Sequence, residues 1–108
     1  MRAILAAQPY DPPSRQTLAR DNFAEQALRY LIETGEVTAI STELVLATTA
    51  VTRAIDMTRQ FIRSHGPATV SELRSMLGGS RRVVIPLLER LDRDGVTLRD
   101  KDRRSLHR

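Results

Sequence analysis

Two adjacent arginines, Arg81 and Arg82, stand where a predicted helix begins, in the stretch GGSRRVVIPLLERL. The N-terminus of a helix carries a partial positive charge, so a cation there costs roughly 0.3 kcal/mol or more. The same N-terminus presents backbone N–H groups without intrahelical partners, and it therefore attracts anions such as phosphate. A phosphate docked there would offset the unfavourable position of both arginines. The pair therefore points to binding of an anionic chain.

Further basic residues lie on two neighbouring segments. One arginine is on a short predicted helix before the pair, and three arginines and the only lysine are in the last predicted hairpin. In a helix-turn-helix with a wing, the start of the second helix and the hairpin converge on nucleic acid. Charge runs are usually solvated surface, but the agreement of three separate elements favours a ligand. The candidate nucleic-acid contacts are Arg74, Ser80, Arg81, Arg82, Arg99, Lys101, Arg103 and Arg104.

The charge is divided unevenly along the chain. The 108 residues carry 17 Lys and Arg against 13 Asp and Glu, a net charge of +4. Residues 1–50 hold four arginines and six acids, whereas residues 51–108 hold thirteen basic residues and seven acids. A general preference for Arg over Lys would explain the arginine content but not this asymmetry. We therefore expect the second half to meet an anion.

Several classes of site are excluded by what the sequence lacks. The chain has no cysteine, so it forms no disulfide or thiolate metal site, and this fits a reducing compartment. Its only lysine, Lys101, follows Asp100 and not a glycine, which rules out a phosphate loop of the Gly-Lys-Ser/Thr type. No apolar run approaches the roughly 18 residues of a membrane span. We predict a cytoplasmic protein without metal, cofactor or catalytic residues.

In the first half, hydrophobic spacing predicts helices followed by a hairpin. Ser14 is the predicted N-cap of a short helix reaching to about Asp21, and Asn22 is the predicted N-cap of a longer helix that Gly35 ends. The stretches EVTAIS and TELVL then read as two short strands. The predicted apolar face of the longer helix consists of Phe23, Ala27, Leu28, Leu31 and Ile32.

The second half repeats this order. A helix begins near Thr49 or Thr52, a short helix begins at Thr69 or Ser71, and Ser80 is the predicted N-cap of the next helix. Pro86 lies inside this last helix and removes one backbone hydrogen bond, so the helix either kinks there or begins after residue 84. The spacing of the apolar residues favours a kinked continuous helix. Two strands, VTLR and RRSL, follow around the turn 100–102. The predicted apolar stripe of the helix consists of Val84, Leu87, Leu88 and Leu91.

The two halves are predicted to be copies of one unit. Placing Gly35 on Gly95 aligns Leu31 with Leu91 and also aligns the leucines three residues earlier. The predicted fold is mainly α with small β-hairpins, built as two tandem winged-helix modules over residues 1–48 and 49–108. The first copy has an acidic helix start, DNFAEQ, and a hairpin without basic residues. We therefore interpret it as a spacer or partner module and the second copy as the RNA-binding module.

The stretch GGSRRVVIPLLERLDRDGVTLRDKDRRSL resembles the last winged-helix module of the selenocysteine-specific elongation factor, SelB. The resemblance rests on TVSELRSMLGGSRR, on the Leu-Leu-Glu…Asp core and on Thr-x-Arg at the wing. Upstream, ALRYLIETGEVTAIS is similar to the module before it. The resemblance covers nearly the whole chain.

This resemblance implies a function in selenocysteine incorporation. Factors of this family carry a GTPase body that delivers selenocysteinyl-tRNA, and their last winged helix grips a hairpin (SECIS) in the selenoprotein messenger beside a UGA codon. The chain would comprise the last two winged helices without the GTPase, so we expect no enzymatic activity. The implied partners are the messenger hairpin, the rest of the factor and the ribosome, with the chain itself a monomer.

The resemblance also implies residue roles. Ser80, Arg81 and Arg82 would hold loop phosphates and bases, with support from the short helix and the wing. Asp92 and Thr97 would brace the junction of helix and wing. Lys101 stands where the family often has glycine, and Leu98 stands at a frequently basic position.

Two other functions stay open on the residues alone. A DNA-binding regulator of winged-helix type would usually be a dimer, whereas here only one copy is basic. A protein-interaction spacer suits the first copy but not the arginine cluster. We favour RNA over DNA as the ligand because RNA-binding proteins recognise single-stranded loops and bases turned out of the stack. A small basic module can bind such a loop by its backbone.

Overall fold

The computed structural model describes residues 1–106 and divides the chain into two compact units, Met1–Val51 and a second unit that begins at Thr52. Both are built mainly from helices with a small β-sheet. The first unit contains α1 (Arg2–Ala7), α2 (Arg15–Leu18), α3 (Asn22–Glu33), β1 (Val37–Ala39) and β2 (Val45–Ala47). Helix α4 (Thr48–His65) contains the boundary. The second unit continues with β3 (Ala68–Thr69), α5 (Val70–Leu77), α6 (Arg81–Arg93), β4 (Thr97–Asp100) and β5 (Arg103–Leu106).

The first unit packs its helices against a two-stranded sheet. Strands β1 and β2 are antiparallel, with Val37 opposite Ala47. The hydroxyl of Tyr10 donates a hydrogen bond to the carbonyl oxygen of Ala50 at 2.8 Å, which fixes the irregular segment between α1 and α2. The core of this unit consists of Leu5, Leu18, Leu28, Leu31, Val37 and Val45.

Three local predictions in the first unit are corrected. Helix α2 ends at Leu18 and not near Asp21. The N-cap of α3 is Asp21, whose carboxylate accepts the N–H of Ala24 at 2.8 Å, because Asp21 is extended while Asn22 is already helical. Phe23 is 86% exposed and does not belong to the apolar face. At about 100° per residue it lies well away from the direction of Leu28.

The second unit places its helices on a three-stranded antiparallel sheet with the order β3-β5-β4. Strand β3 is too short to be visible as a sequence pattern. Helix α6 is continuous through Pro86, which confirms the predicted continuity, although the proline has no N–H to donate one turn back. The apolar side of α6 is fully buried and consists of Val83, Val84, Leu87, Leu88 and Leu91.

The short helix α5 begins with a capping box. The hydroxyl of Thr69 accepts the N–H of Glu72 at 3.2 Å, and the Glu72 carboxylate accepts the N–H of Thr69 at 2.9 Å. A buried leucine pair, Leu73 and Leu77, holds this helix on the core. We expect Thr69→Ala to lower the free energy of unfolding by about 1 kcal/mol, because it removes the N-cap oxygen. Urea denaturation measures this, with Ser71→Ala in the same helix as the unaffected control.

The pH dependence of the capping box has a defined sign. Hydrogen bonds from the N–H and then the hydroxyl of Thr69 lower the pKa of Glu72, and Arg103 and His65 lower it further. The pKa of Glu72 is therefore lower in the folded protein than in the unfolded chain. The ionised Glu72 carboxylate therefore contributes its full stability to the fold above the pKa that it has in the unfolded chain. This contribution is lost as the pH falls through the lower pKa of the folded state. The stability gap between the wild type and Thr69→Ala is expected to narrow on acidification, and a constant gap would contradict this.

Candidate nucleic-acid interface

The start of α6 is open and basic. Ser80 takes the N-cap position with extended backbone, and its carbonyl oxygen accepts the N–H of Val84 at 2.8 Å. The predicted N-cap position of Ser80 is confirmed, although its side chain makes no cap hydrogen bond. The first turn contains no acidic residue, and both Arg81 and Arg82 are exposed. The positive end of the helix therefore faces solvent together with two guanidinium groups.

Arg74 lies beside this helix start. It is exposed on α5, and its Nε donates a hydrogen bond to the carbonyl oxygen of Gly79 at 3.2 Å. Gly79 belongs to the turn that leads directly into Ser80 and α6. The contact fixes the stem of Arg74 on this turn. It therefore places the Arg74 side chain at the turn that leads into α6.

Three more predicted residues are exposed on the wing, which is formed by β4, β5 and the turn between them. The Nε of Arg99 donates to the carbonyl oxygen of Lys101 at 3.1 Å, which holds the guanidinium over the turn. Arg103 donates to the carbonyl oxygen of Pro67 at 3.3 Å and lies 3.9 Å from a carboxylate oxygen of Glu72. These contacts orient the wing cations while leaving their side chains exposed.

Arg104 does not belong to this surface, which corrects its predicted role as an RNA contact. Its side chain is 4% exposed. The guanidinium donates to both carboxylate oxygens of Asp92, with Nη2 at 3.0 Å from Oδ2 and Nε at 3.3 Å from Oδ1. Successive side chains of a strand face opposite sides, so Arg103 is outside and Arg104 inside. The alternation with Leu106 in RRSL was the signal that could have placed Arg104 inward.

The Asp92 carboxylate also binds β4, the other strand of the wing. The hydroxyl of Thr97 donates to Oδ1 of Asp92 at 2.6 Å. Asp92 is on α6, Thr97 begins β4 and Arg104 is on β5. The predicted bracing of the helix–wing junction by Asp92 and Thr97 is confirmed, with Arg104 as its third member. The arrangement fixes the wing relative to α6.

The wing turn contains a strained lysine. Lys101 has a φ of 58°, the sole positive φ outside glycine in residues 1–106. Glycine adopts this region without steric cost, whereas other residues pay for it. We expect Lys101→Gly to raise the free energy of unfolding by about 0.5 kcal/mol, after the greater freedom of glycine in the unfolded chain is subtracted. The matched control, Asp102→Gly, should lower the free energy of unfolding. Thermal unfolding measures both variants, and a destabilised Lys101→Gly beside a stabilised Asp102→Gly would contradict this explanation.

Other kinds of site are not found in the part of the chain that the structure describes. In residues 1–106, no three His, Asp or Glu side chains are placed to hold a metal ion. No helix within this range is long and apolar enough to cross a membrane. His107 lies outside the described residues.

Comparison with known proteins agrees with the predicted resemblance. Residues 60–106 match the family model of the winged helix of elongation factor SelB. A relative, the selenocysteine-specific elongation factor of Desulfomicrobium baculatum, is 28% identical over 102 residues, which cover 90% of this chain and 16% of that relative. The chain therefore spans about one sixth of this relative. These matches confirm the resemblance to the winged-helix region of the SelB family.

Two solved structures have the same fold. The mRNA-binding domain of elongation factor SelB from E. coli, in complex with SECIS RNA, aligns with a TM-score of 0.78 at 24% identity, covering 99% of this chain and 93% of that chain. A bacterial selenocysteine-specific elongation factor, EF-Sec, aligns with a TM-score of 0.77 at 20% identity. This second alignment covers 99% of this chain and 18% of that chain. The mainly helical winged-helix fold is thereby confirmed.

Proposed function

Because residues 60–106 match the family model of the winged helix of elongation factor SelB, we propose that this chain is the mRNA-binding part of a selenocysteine-specific elongation factor. It recognises the SECIS hairpin of a selenoprotein messenger. The GTPase body of the full factor then delivers selenocysteinyl-tRNA at the adjacent UGA codon. This chain contributes binding and no catalysis, and it acts in the cytoplasm, where translation takes place.

The two units are proposed to be tandem winged-helix modules, over residues 1–48 and 49–108. The order α2, α3, β1, β2 in the first unit parallels α5, α6, β4, β5 in the second. In both units the longer helix is followed by a glycine with positive φ, Gly35 at 85° and Gly95 at 78°. The repeated order supports an internal duplication. The first module serves as a spacer and the second binds RNA.

The observation that carries the RNA-binding proposal is the open, basic start of α6. Two exposed arginines occupy a first turn that contains no acidic residue. The N-terminus of a helix attracts phosphate through its dipole and its first backbone N–H groups. A hairpin backbone that docks here would meet two arginines and the positive end of the helix dipole together. The proposed contact surface consists of Arg74, Ser80, Arg81, Arg82, Arg99, Lys101 and Arg103.

The chemistry of this surface suits an RNA loop. Arginine offers a flat fork of donors that fits phosphates and stacks on bases. The deep groove of A-form RNA is too narrow for a helix, so recognition takes place on loops and splayed bases. A basic helix start together with a basic wing would suit such a loop. Because the contact is with phosphates, affinity should fall steeply with salt.

Fluorescence anisotropy tests this function. A labelled SECIS hairpin is titrated with the chain at several salt concentrations, beside a hairpin with a scrambled loop and a DNA duplex of equal charge. We expect the SECIS hairpin to bind at least about tenfold more tightly than either competitor. Equal binding of all three would show only a basic surface and would refute hairpin recognition. Tightest binding of the duplex would favour a DNA-binding regulator.

A further inference from the structure

The carboxylate of Glu72 faces two elements of the second unit. One of its oxygens, Oε1, accepts the N–H of Thr69 at 2.9 Å and the Thr69 hydroxyl at 3.0 Å. The same oxygen lies 3.9 Å from Nη1 of Arg103 on the wing. Thr69 and Arg103 are opposite each other in the pairing of β3 with β5, so the sheet brings this wing arginine to the start of α5. A single carboxylate oxygen therefore faces both the cap of α5 and a wing cation.

The guanidinium of Arg103 lies on the β3 side of the wing. Its Nη1 donates to the carbonyl oxygen of Pro67, one residue before β3, at 3.3 Å. On the other side of β5, Asp100 is opposite Arg103 in β4, but within residues 1–106 these two side chains form no ion pair. The guanidinium is therefore drawn toward Glu72. Its Nε and Nη2 make no hydrogen bond to the described residues and are open to a phosphate.

The neighbouring acid distinguishes Arg103 from Arg99, the other exposed arginine of the wing. Arg99 donates to a backbone carbonyl and forms no ion pair with any residue that the structure describes. Side-chain exposure is 55% for Arg103 and 49% for Glu72, so RNA can reach both groups. A phosphate that approaches Arg103 therefore meets a like charge beside the opposite one, and the carboxylate competes with it for the same guanidinium.

We propose that Glu72 is the counter-ion that an RNA phosphate displaces from Arg103, so that this carboxylate limits the affinity of the wing for RNA. The proposal rests on the proposed function, because it concerns the same binding surface. In the free protein the Arg103 charge is shared with Glu72. In the complex the phosphate takes its place, while Glu72 keeps its hydrogen bonds to Thr69. Glu72 acts through Arg103 and does not itself contact RNA.

The test is a double-mutant cycle measured by fluorescence anisotropy with the SECIS hairpin. Glu72→Gln removes the charge but keeps a carbonyl oxygen that can accept the N–H of Thr69, so the cap should persist, which thermal unfolding checks. We expect this variant to bind the hairpin about threefold more tightly than the wild type, the size of an exposed ion pair. In an Arg103→Gln background the same substitution should lose this gain, because the cation that it frees is absent.

A matched control separates this effect from net charge. Glu89 is an exposed acid on α6 that forms no ion pair with the described residues. Glu89→Gln removes the same charge, and its effect on affinity should be equal with and without Arg103. An equal gain from Glu72→Gln in both backgrounds would show only general repulsion and would overturn the proposal. Unchanged or weaker binding by Glu72→Gln would overturn it as well.

The contact itself can be measured in the free chain. Arg103 helps to lower the pKa of Glu72, so Arg103→Gln should raise that pKa in a nuclear magnetic resonance titration of the Glu72 carboxyl carbon. An unchanged pKa would refute the pairing in solution. Wild-type chain without preference for the SECIS hairpin would overturn the proposed function and this inference together. Clear preference for the hairpin without coupling between Glu72 and Arg103 would overturn the inference alone.

Discussion

Replacing Arg81 and Arg82 together by alanine is expected to weaken SECIS hairpin binding by about 3 kcal/mol, more than a hundredfold. Each arginine supplies a charged fork at the open N-terminus of α6, where the phosphate backbone is proposed to dock. The slope of log affinity against log salt should fall by roughly two, one for each lost phosphate contact. Fluorescence anisotropy at several salt concentrations measures both quantities. Stability should change little, because both side chains are exposed.

The matched control removes the same charge from the other end of the same helix. Arg90→Ala/Arg93→Ala deletes two cations from the last turn of α6, where Arg90 is paired with Asp94 at 2.9 Å. If the contact is local, this control keeps most of the affinity. If both double variants lose the same affinity, binding depends only on net charge, and the proposed surface is wrong.

The largest expected effect on stability comes from Asp92→Ala. The variant leaves the Arg104 guanidinium, whose side chain is 4% exposed, without its carboxylate partner. It also removes the acceptor of the Thr97 hydroxyl. Breaking one side of a buried ion pair typically costs about 3 kcal/mol. Urea denaturation should show this loss as a lower midpoint for the second unit.

Two comparisons identify the cause of this loss. Asp94→Ala removes the same charge from the more exposed Arg90–Asp94 pair at the end of α6 and should cost about 0.5 kcal/mol or less. Asp92→Leu/Arg104→Met replaces the pair by apolar side chains and should recover much of the stability, because no buried charge is left alone. A recovered double variant should still bind the hairpin. Loss of binding in that folded variant would return Arg104 to the contact surface.

Much of the fold could be predicted from the sequence because its signals are local. Apolar spacing defined α6 and its buried stripe, and Gly35 and Gly95 marked the helix ends. Thr69 was one of two predicted starts of α5, and its capping box confirmed it. These features depend on residues three or four positions apart. The pattern of neighbouring residues therefore contains the information.

Other features depend on contacts between distant segments and were missed. Arg104 looks like a wing cation until β5 is placed against α6, where Asp92, twelve residues earlier, receives it. Strand β3 exists only because Ala68 and Thr69 pair with β5. Such features require the tertiary arrangement.

The proposed division of labour also depends on where charge is neutralised. Composition alone shows that the second half is basic. It does not show that Arg104 is held inside while Arg99 and Arg103 are held by backbone carbonyls with their charges outward. On the wing, the arginines proposed to bind RNA are therefore the exposed ones, Arg99 and Arg103, and not Arg104.

The most direct test of the central claim is a nuclear magnetic resonance titration of the isotope-labelled chain with the SECIS hairpin. The account predicts that amide signals shift at the turn into α6, in its first turn and in residues 99–103 of the wing. Signals of α3 in the first unit and of the last turn of α6 should stay in place. Shifts centred on α3, or spread evenly over every basic residue, would contradict hairpin recognition by the helix start and the wing.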